Sequence, residues 1–82
     1  MTKNAYSTHQ QCLQALLRQI RQEAGMRQVD LALRLNQPQS YVSKYESGER
    51  RLDILELRQV CQAVGIGLSD FVARFEALYE AR

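Results

Sequence analysis

The sequence predicts an all-α fold, a compact bundle of five helices in which the second and third form a tightly turned pair. Three observations carry that expectation. Apolar residues recur at the i, i+3, i+4 spacing of amphipathic helices in several separate stretches, and no alternating run competes with them. An apolar content of 45% with 7% aromatics, four Gly and one Pro suits short helices around a small core, and argues against a disordered chain or a strand-rich sandwich. Residues Gln28 to Ser47, QVDLALRLNQPQSYVSKYES, read as two short helices either side of Asn36 and Pro38. With 82 residues and no second apolar block beyond a linker, one domain over residues 7–82 is expected, after a frayed, disordered tail over residues 1–6.

Helix one is expected to start at Ser7 or Thr8, each with a glutamine three residues on in capping-box spacing. Leu13, Leu16, Leu17, Ile20 and Ala24 then make its apolar stripe, and Gly25 stops it. Arg21 interrupts this stripe: it points toward the core and needs an acidic partner. Helix two runs from Gln28 to Leu35 with Leu31, Ala32 and Leu35 inward and Leu33 outward. Its cap position holds Arg27, a poor N-cap, so compensation is expected from the Gln28 side chain. Asn36 supplies the left-handed residue that closes the helix, and Pro38 sets up the next start.

Helix three, Gln39 to Ser47, buries Val42 and Tyr45 and turns Gln39, Ser40, Ser43 and Lys44 outward with almost no negative charge among them. A surface of that composition can read base edges. After the turn at Gly48, the adjacent Arg50 and Arg51 are either a solvated pair or a phosphate clamp, and their position just beyond helix three favours the clamp. Helix four starts at Asp53 with Glu56 three residues on, buries Leu57, Val60, Cys61 and Val64, and ends at Gly65. Helix five, Leu68 to Tyr79, has Asp70 near its positive end and carries a wide apolar band of Phe71, Val72, Phe75, Leu78 and Tyr79. More apolar surface stands there than one small core needs. A symmetric homodimer using Phe75, Leu78 and Tyr79 is therefore expected.

The net charge of +2 is modest, but it is unevenly placed: residues 18–51 hold seven Lys/Arg against four Asp/Glu, and residues 52–82 hold three against five. Positive potential thus collects around the helix pair and favours an anionic partner. Cys12 and Cys61 have no neighbours at metal-ligand spacing and read as small apolar packers. No metal or cofactor is expected. His9, at the start of helix one, is expected to face solvent with no catalytic partner. With no nucleophile constellation, phosphate-cradling Gly loop or paired carboxylates, an enzyme is not expected. The absence of a leader pattern and of a long apolar run makes the cytoplasm the expected compartment, with no membrane association.

Taken together, Arg21, Gln28, Leu31-Ala32, Asn36, Val42-Ser43, Glu46, Gly48 and the stretch from Leu57 to Gly65 resemble the Cro/phage-repressor helix-turn-helix family, over about Leu13 to Val72. The resemblance implies a bundle whose third helix lies in the DNA major groove with the second bracing it across the backbone. It implies that Gln28 touches a phosphate and steadies the start of helix three, that Gln39 and Ser40 face base edges, and that Lys44 reaches deeper with Ser43 beside it. Tyr41 would touch a thymine methyl or a phosphate, or be partly buried against helix two. Ser47, Arg50 and Arg51 complete the expected DNA-binding set. The resemblance also supplies the partner for Arg21, an ion pair with Glu46. Where the family commonly has Gly in the turn this chain has Asn36, and where it commonly has Ser or Thr capping helix three it has Pro38. The expected function is a sequence-specific, double-stranded DNA-binding transcriptional regulator, a repressor that binds a palindromic operator as a dimer. The competing reading is a protein-interaction module such as an antitoxin-like protein, which masks a partner with helix five.

Overall fold

The computed structural model describes residues 5–80, with the backbone alone at 5–7 and 79. Five helices follow in order, α1 (Ala5–Glu23), α2 (Gln28–Leu35), α3 (Gln39–Ser47), α4 (Ile54–Val64) and α5 (Leu68–Glu80), with no strand among the described residues. The first helix departs from expectation. It already includes Ala5 and Tyr6, so Ser7 and Thr8 lie inside it rather than capping it. The physical reason is the lack of any Gly or Pro before Gly25, which leaves nothing to break the helix on that side. Residues 1–4 of the expected tail lie outside the described residues.

Every helix contributes to one core: Leu16, Leu17 and Ile20 from α1, Leu31 and Ala32 from α2, Val42 and Tyr45 from α3, Val60 and Cys61 from α4, and Phe71 from α5. Helix α1 packs on α3 and α5, α2 on α3 and α4, and α4 on α5. The helix pair is thereby held from two sides. Its turn is built by Asn36 at φ 57°, where the Asn36 N–H donates to the Leu33 carbonyl and the Gln37 N–H to the Ala32 carbonyl, so orphan carbonyls of α2 are satisfied before the chain reverses. Pro38 then sits at φ −70°, extended, and makes Gln39 the first helical residue of α3. Gly48 ends α3 at φ 92°, a left-handed backbone that favours glycine.

The start of α2 is secured by Asp30, in place of the Gln28 compensation expected from sequence. Asp30 Oδ2 accepts from the Arg27 N–H at 2.9 Å, and the carboxylate also takes the Arg27 guanidinium at 3.0 and 2.9 Å. An arginine has no acceptor to return to the helix, so only half of a capping box forms. Those hydrogen bonds hold the Asp30 carboxyl down at about 2. Helix α4 has the full reciprocal cap: the Glu56 N–H donates to Asp53 at 2.8 Å and the Asp53 N–H to Glu56 at 3.0 Å. Arg34 donates from α2 to the Ala63 carbonyl in the last turn of α4 at 3.0 Å, joining the two helices where α4 has carbonyls to spare.

Burial also separates residues that one apolar stripe would group. Leu33 is exposed as its spacing requires, and Ile54 and Leu55, ahead of the inward stripe of α4, are 61% and 70% exposed. His9 is half-buried rather than solvent-facing. The Tyr45 hydroxyl is buried with no hydrogen-bond partner among the described residues, and burial pushes its phenol well above the ordinary value. An unpaired buried hydroxyl costs ~1–3 kcal/mol. Tyr45→Phe is therefore expected to raise the melting temperature by about 5 °C, a shift readable by circular dichroism. A lowered melting temperature would show that the hydroxyl is paired in solution.

Candidate nucleic-acid interface

Helix α3 has two faces of opposite character because its inward positions fall at Val42, Tyr45 and Glu46, all but wholly buried. Gln39, Ser40 and Lys44 are exposed on the other side, and Ser43 is half-buried. The short serine side chains are tied to their own helix: Ser43 Oγ donates to the Ser40 carbonyl at 3.4 Å and Ser47 Oγ to the Lys44 carbonyl at 3.1 Å. Gln39, Ser40, Lys44 and Ser47 are the exposed side chains of this helix.

The buried side of α3 is fixed by charge. Arg21 Nε donates to Glu46 Oε2 at 2.7 Å and Arg21 Nη2 to Glu46 Oε1 at 3.0 Å, a two-bond pairing between α1 and α3. Arg21 Nη1 also donates to the Met26 carbonyl at 2.8 Å, tying the α1–α2 loop to the same group. The Glu46 hydrogen bond holds the Arg21 guanidinium above its ordinary pKa. Arg18, one turn earlier on α1 and half exposed, has its Nε 3.7 Å from Glu46 Oε1. Sequence reasoning passed over Arg18. Its position three residues before Arg21 was the available signal.

Gln28 links this pair to the outer face. Its Nε2 donates to Glu46 Oε1 at 3.1 Å, and its Oε1 accepts from Gln39 Nε2 at 3.4 Å. The first residues of α2 and α3 are thereby joined side chain to side chain.

Beyond α3 the two arginines part company. Arg50 is paired with Glu56, Nη2 to Oε2 at 2.7 Å and Nη1 to Oε1 at 3.2 Å, and its guanidinium lies 4.7 Å above the Tyr41 ring. Tyr41 in turn stands edge-on to Tyr45 with ring centroids 5.7 Å apart. Tyr41 is thus half-buried against Tyr45 and Arg50, with its hydroxyl raised above its ordinary pKa chiefly by burial. Arg50 is half-buried in this cluster, and Arg51 is the exposed member of the pair. Nothing in the local sequence marks Glu56 as the partner of Arg50, because Glu56 already serves the α4 cap.

On α5 Phe75 is half-buried against the core and Leu78 is 40% exposed, while the Tyr79 side chain lies outside the described residues. Among the described residues no helix is long and apolar enough to cross a membrane, and no three His, Cys, Asp or Glu side chains are grouped to hold a metal ion.

A helix-turn-helix family model matches residues 17–71, from the second half of α1 to the first turn of α5. Among solved structures, an XRE-family like protein from Pseudomonas syringae pv. tomato is 40% identical, with 89% of each chain covered and a TM-score of 0.82. The clp gene regulator ClgR from C. glutamicum is 26% identical over 84% of this chain and 88% of its own, with a TM-score of 0.74. A point mutant of the restriction-modification controller protein C.Esp1396I, 24% identical over 92% of this chain and 99% of its own, shares the fold with a TM-score of 0.81. No curated protein matches the chain. The family match and the likeness to the XRE-family structure agree, and the chain belongs to the XRE/Cro-type helix-turn-helix family of DNA-binding transcription regulators.

Proposed function

We propose that the chain is a sequence-specific repressor of transcription that lays α3 in the major groove of double-stranded DNA and binds a palindromic operator as a homodimer. The observation that carries the reading is the outward face of α3, where Gln39, Ser40 and Lys44 stand exposed on a helix whose other face is locked into the core. Glutamine and lysine can pair with purine edges and serine is permissive, so these three would read bases. Gln28, Tyr41, Ser43 and Ser47 would set the docking, with Arg51 gripping a phosphate and Arg50 holding the loop that presents it. No cofactor or catalytic step is needed for this activity, and a single domain suffices.

The apolar stripe of α5, with Phe75 half-buried and Leu78 40% exposed, supports a dimer built partly on that helix. Two copies joined by a two-fold axis would present recognition helices ~34 Å apart, one turn of duplex. A competing reading, an interaction module that masks another protein with helix five, is favoured by the exposure of Val72 and Leu78 on α5.

Gel shifts at defined salt, using short inverted repeats upstream of the protein's own coding sequence, test the proposal. Preference for such a repeat over scrambled DNA is the expected result, and equal binding to both favours the interaction module. Arg51→Ala should weaken binding to all sequences alike and reduce the salt slope by ~1, since one phosphate contact is lost. A loss confined to one base position would make Arg51 a base reader.

A further inference from the structure

One carboxylate closes the loop between α3 and α4. Glu56 Oε1 accepts the Asp53 N–H at 3.0 Å, at the start of α4, and Arg50 Nη1 at 3.2 Å from the other side of the loop, while Oε2 takes Arg50 Nη2 at 2.7 Å. Arg50 Nη1 also donates to the Arg51 carbonyl at 3.1 Å, and the Arg50 N–H donates to the Lys44 carbonyl of α3 at 3.2 Å. Arg51 therefore lies within a ring of bonds that begins and ends on Glu56, and its own carbonyl is one of the points held.

The loop joins two helices braced by different neighbours, since α3 packs on α1 and α2 whereas α4 packs on α2 and α5. Leu52 packs against the core and anchors the loop at one point. The Arg50 guanidinium, seated 4.7 Å above the Tyr41 ring, supplies a second. Two fixed points set the direction in which the residue between them, the exposed Arg51, leaves the surface. The Arg50–Glu56 pair is itself partly exposed, and such a pair adds little to stability. Its effect is geometric: a loop already held in its binding conformation loses no further freedom when a ligand arrives.

We propose that Glu56 is a positioning residue for the DNA backbone: acting through Arg50, it holds Arg51 in the conformation that grips a phosphate, and it touches no DNA itself. The inference rests on the proposed phosphate contact of Arg51. It also fixes a sign. A carboxylate beside DNA repels phosphates, so removing its charge would by itself strengthen binding, whereas loss of positioning weakens it.

Salt-dependent binding of the full chain to the inverted repeat and to a scrambled duplex of the same length tests it. Wild type is compared with Arg51→Ala, Glu56→Gln, Arg50→Met and each of the last two combined with Arg51→Ala, with folding followed by circular dichroism. Glutamine at 56 is still a capping-box residue but gives up the carboxylate that pairs with Arg50. Glu56→Gln should weaken binding to both duplexes by roughly fivefold at physiological salt and lower the salt slope by ~1, as Arg51→Ala does. Arg50→Met keeps an apolar stem over Tyr41, removes the guanidinium bonds and should do the same. Each double variant should bind no more weakly than Arg51→Ala alone, because both changes remove one contact. Arg50→Met and its double carry the test if Glu56→Gln does not fold. The proposal is overturned if Glu56→Gln binds as tightly as wild type or more tightly, or if either pair of changes adds in the double variant. It is equally overturned if Arg50→Met lowers the slope while Glu56→Gln does not, which would put Arg50 itself on a phosphate. An Arg51→Ala protein with the wild-type slope overturns the phosphate contact of Arg51 and this inference with it, whereas a lowered slope there without an effect of Glu56→Gln overturns the inference alone.

Discussion

Glu46→Ala is expected to lower the melting temperature by more than ten degrees. Glu46 is 2% exposed, and its carboxylate takes two hydrogen bonds from the guanidinium of Arg21, a residue 8% exposed. Truncation leaves the Arg21 charge in the interior with the Met26 carbonyl as its remaining hydrogen-bond acceptor, and it removes the acceptor of Gln28. Removing one partner of a buried pair costs ~3–5 kcal/mol, against a total of ~5–10 for a domain of this size. With each kcal/mol worth ~4–8 °C, the shift is far outside experimental error. The cost lies in the stranded charge, so Arg21→Met/Glu46→Leu, which removes both charges and keeps the volume, should recover most of it. Thermal unfolding followed by circular dichroism decides the matter. A Glu46→Ala protein melting within a degree or two of wild type would show that the pair does not hold α1 to α3.

The sequence made the helices legible wherever a local signal set their limits. Asn36 marked the end of α2 because it tolerates positive φ, and the Asp53 and Glu56 spacing marked the start of α4 because each side chain satisfies the other's backbone. The start of α1 was misjudged for the complementary reason: Ser7 and Thr8 resemble caps, but a cap acts only where the helix stops, and nothing there stops it. Arg21 could be assigned to the interior because it breaks an apolar stripe. Its extra bond to Met26 could not, since that depends on how the α1–α2 loop returns. The same limit applies to Arg50. Sequence placed it beside Arg51 as a clamp, and only the packing of α3 against the following loop puts Tyr41 under its guanidinium and Glu56 in front of it. Contacts between elements are invisible to spacing rules, which describe one helix at a time.

Helix α5 yields the second large effect, because its apolar stripe outlasts the core. Phe71 is 1% exposed, Phe75 one turn later is half-buried, and Leu78 near the end is 40% exposed, with Val72 at 40% beside the stripe. Residues on one face of one helix should thus respond differently to substitution. Phe71→Ala empties a site packed among α1, α4 and α5, and should cost ~3–5 kcal/mol, about as much as Glu46→Ala. Leu78→Glu touches little of the core and should leave unfolding within ~0.5 kcal/mol of wild type. If a second copy covers the end of the stripe, however, a buried carboxylate on each side of a two-fold interface is unfavourable twice over. The expected result is a folded monomer in sedimentation, with wild type a dimer at the same micromolar concentration, and a loss of operator affinity that a single base-reading substitution would not cause. A wild type that sediments as a monomer would assign the surplus apolar surface of α5 to some other partner, whereas a dimer that survives Leu78→Glu would move the interface to another face, with Ile54 and Leu55 on α4 the next candidates.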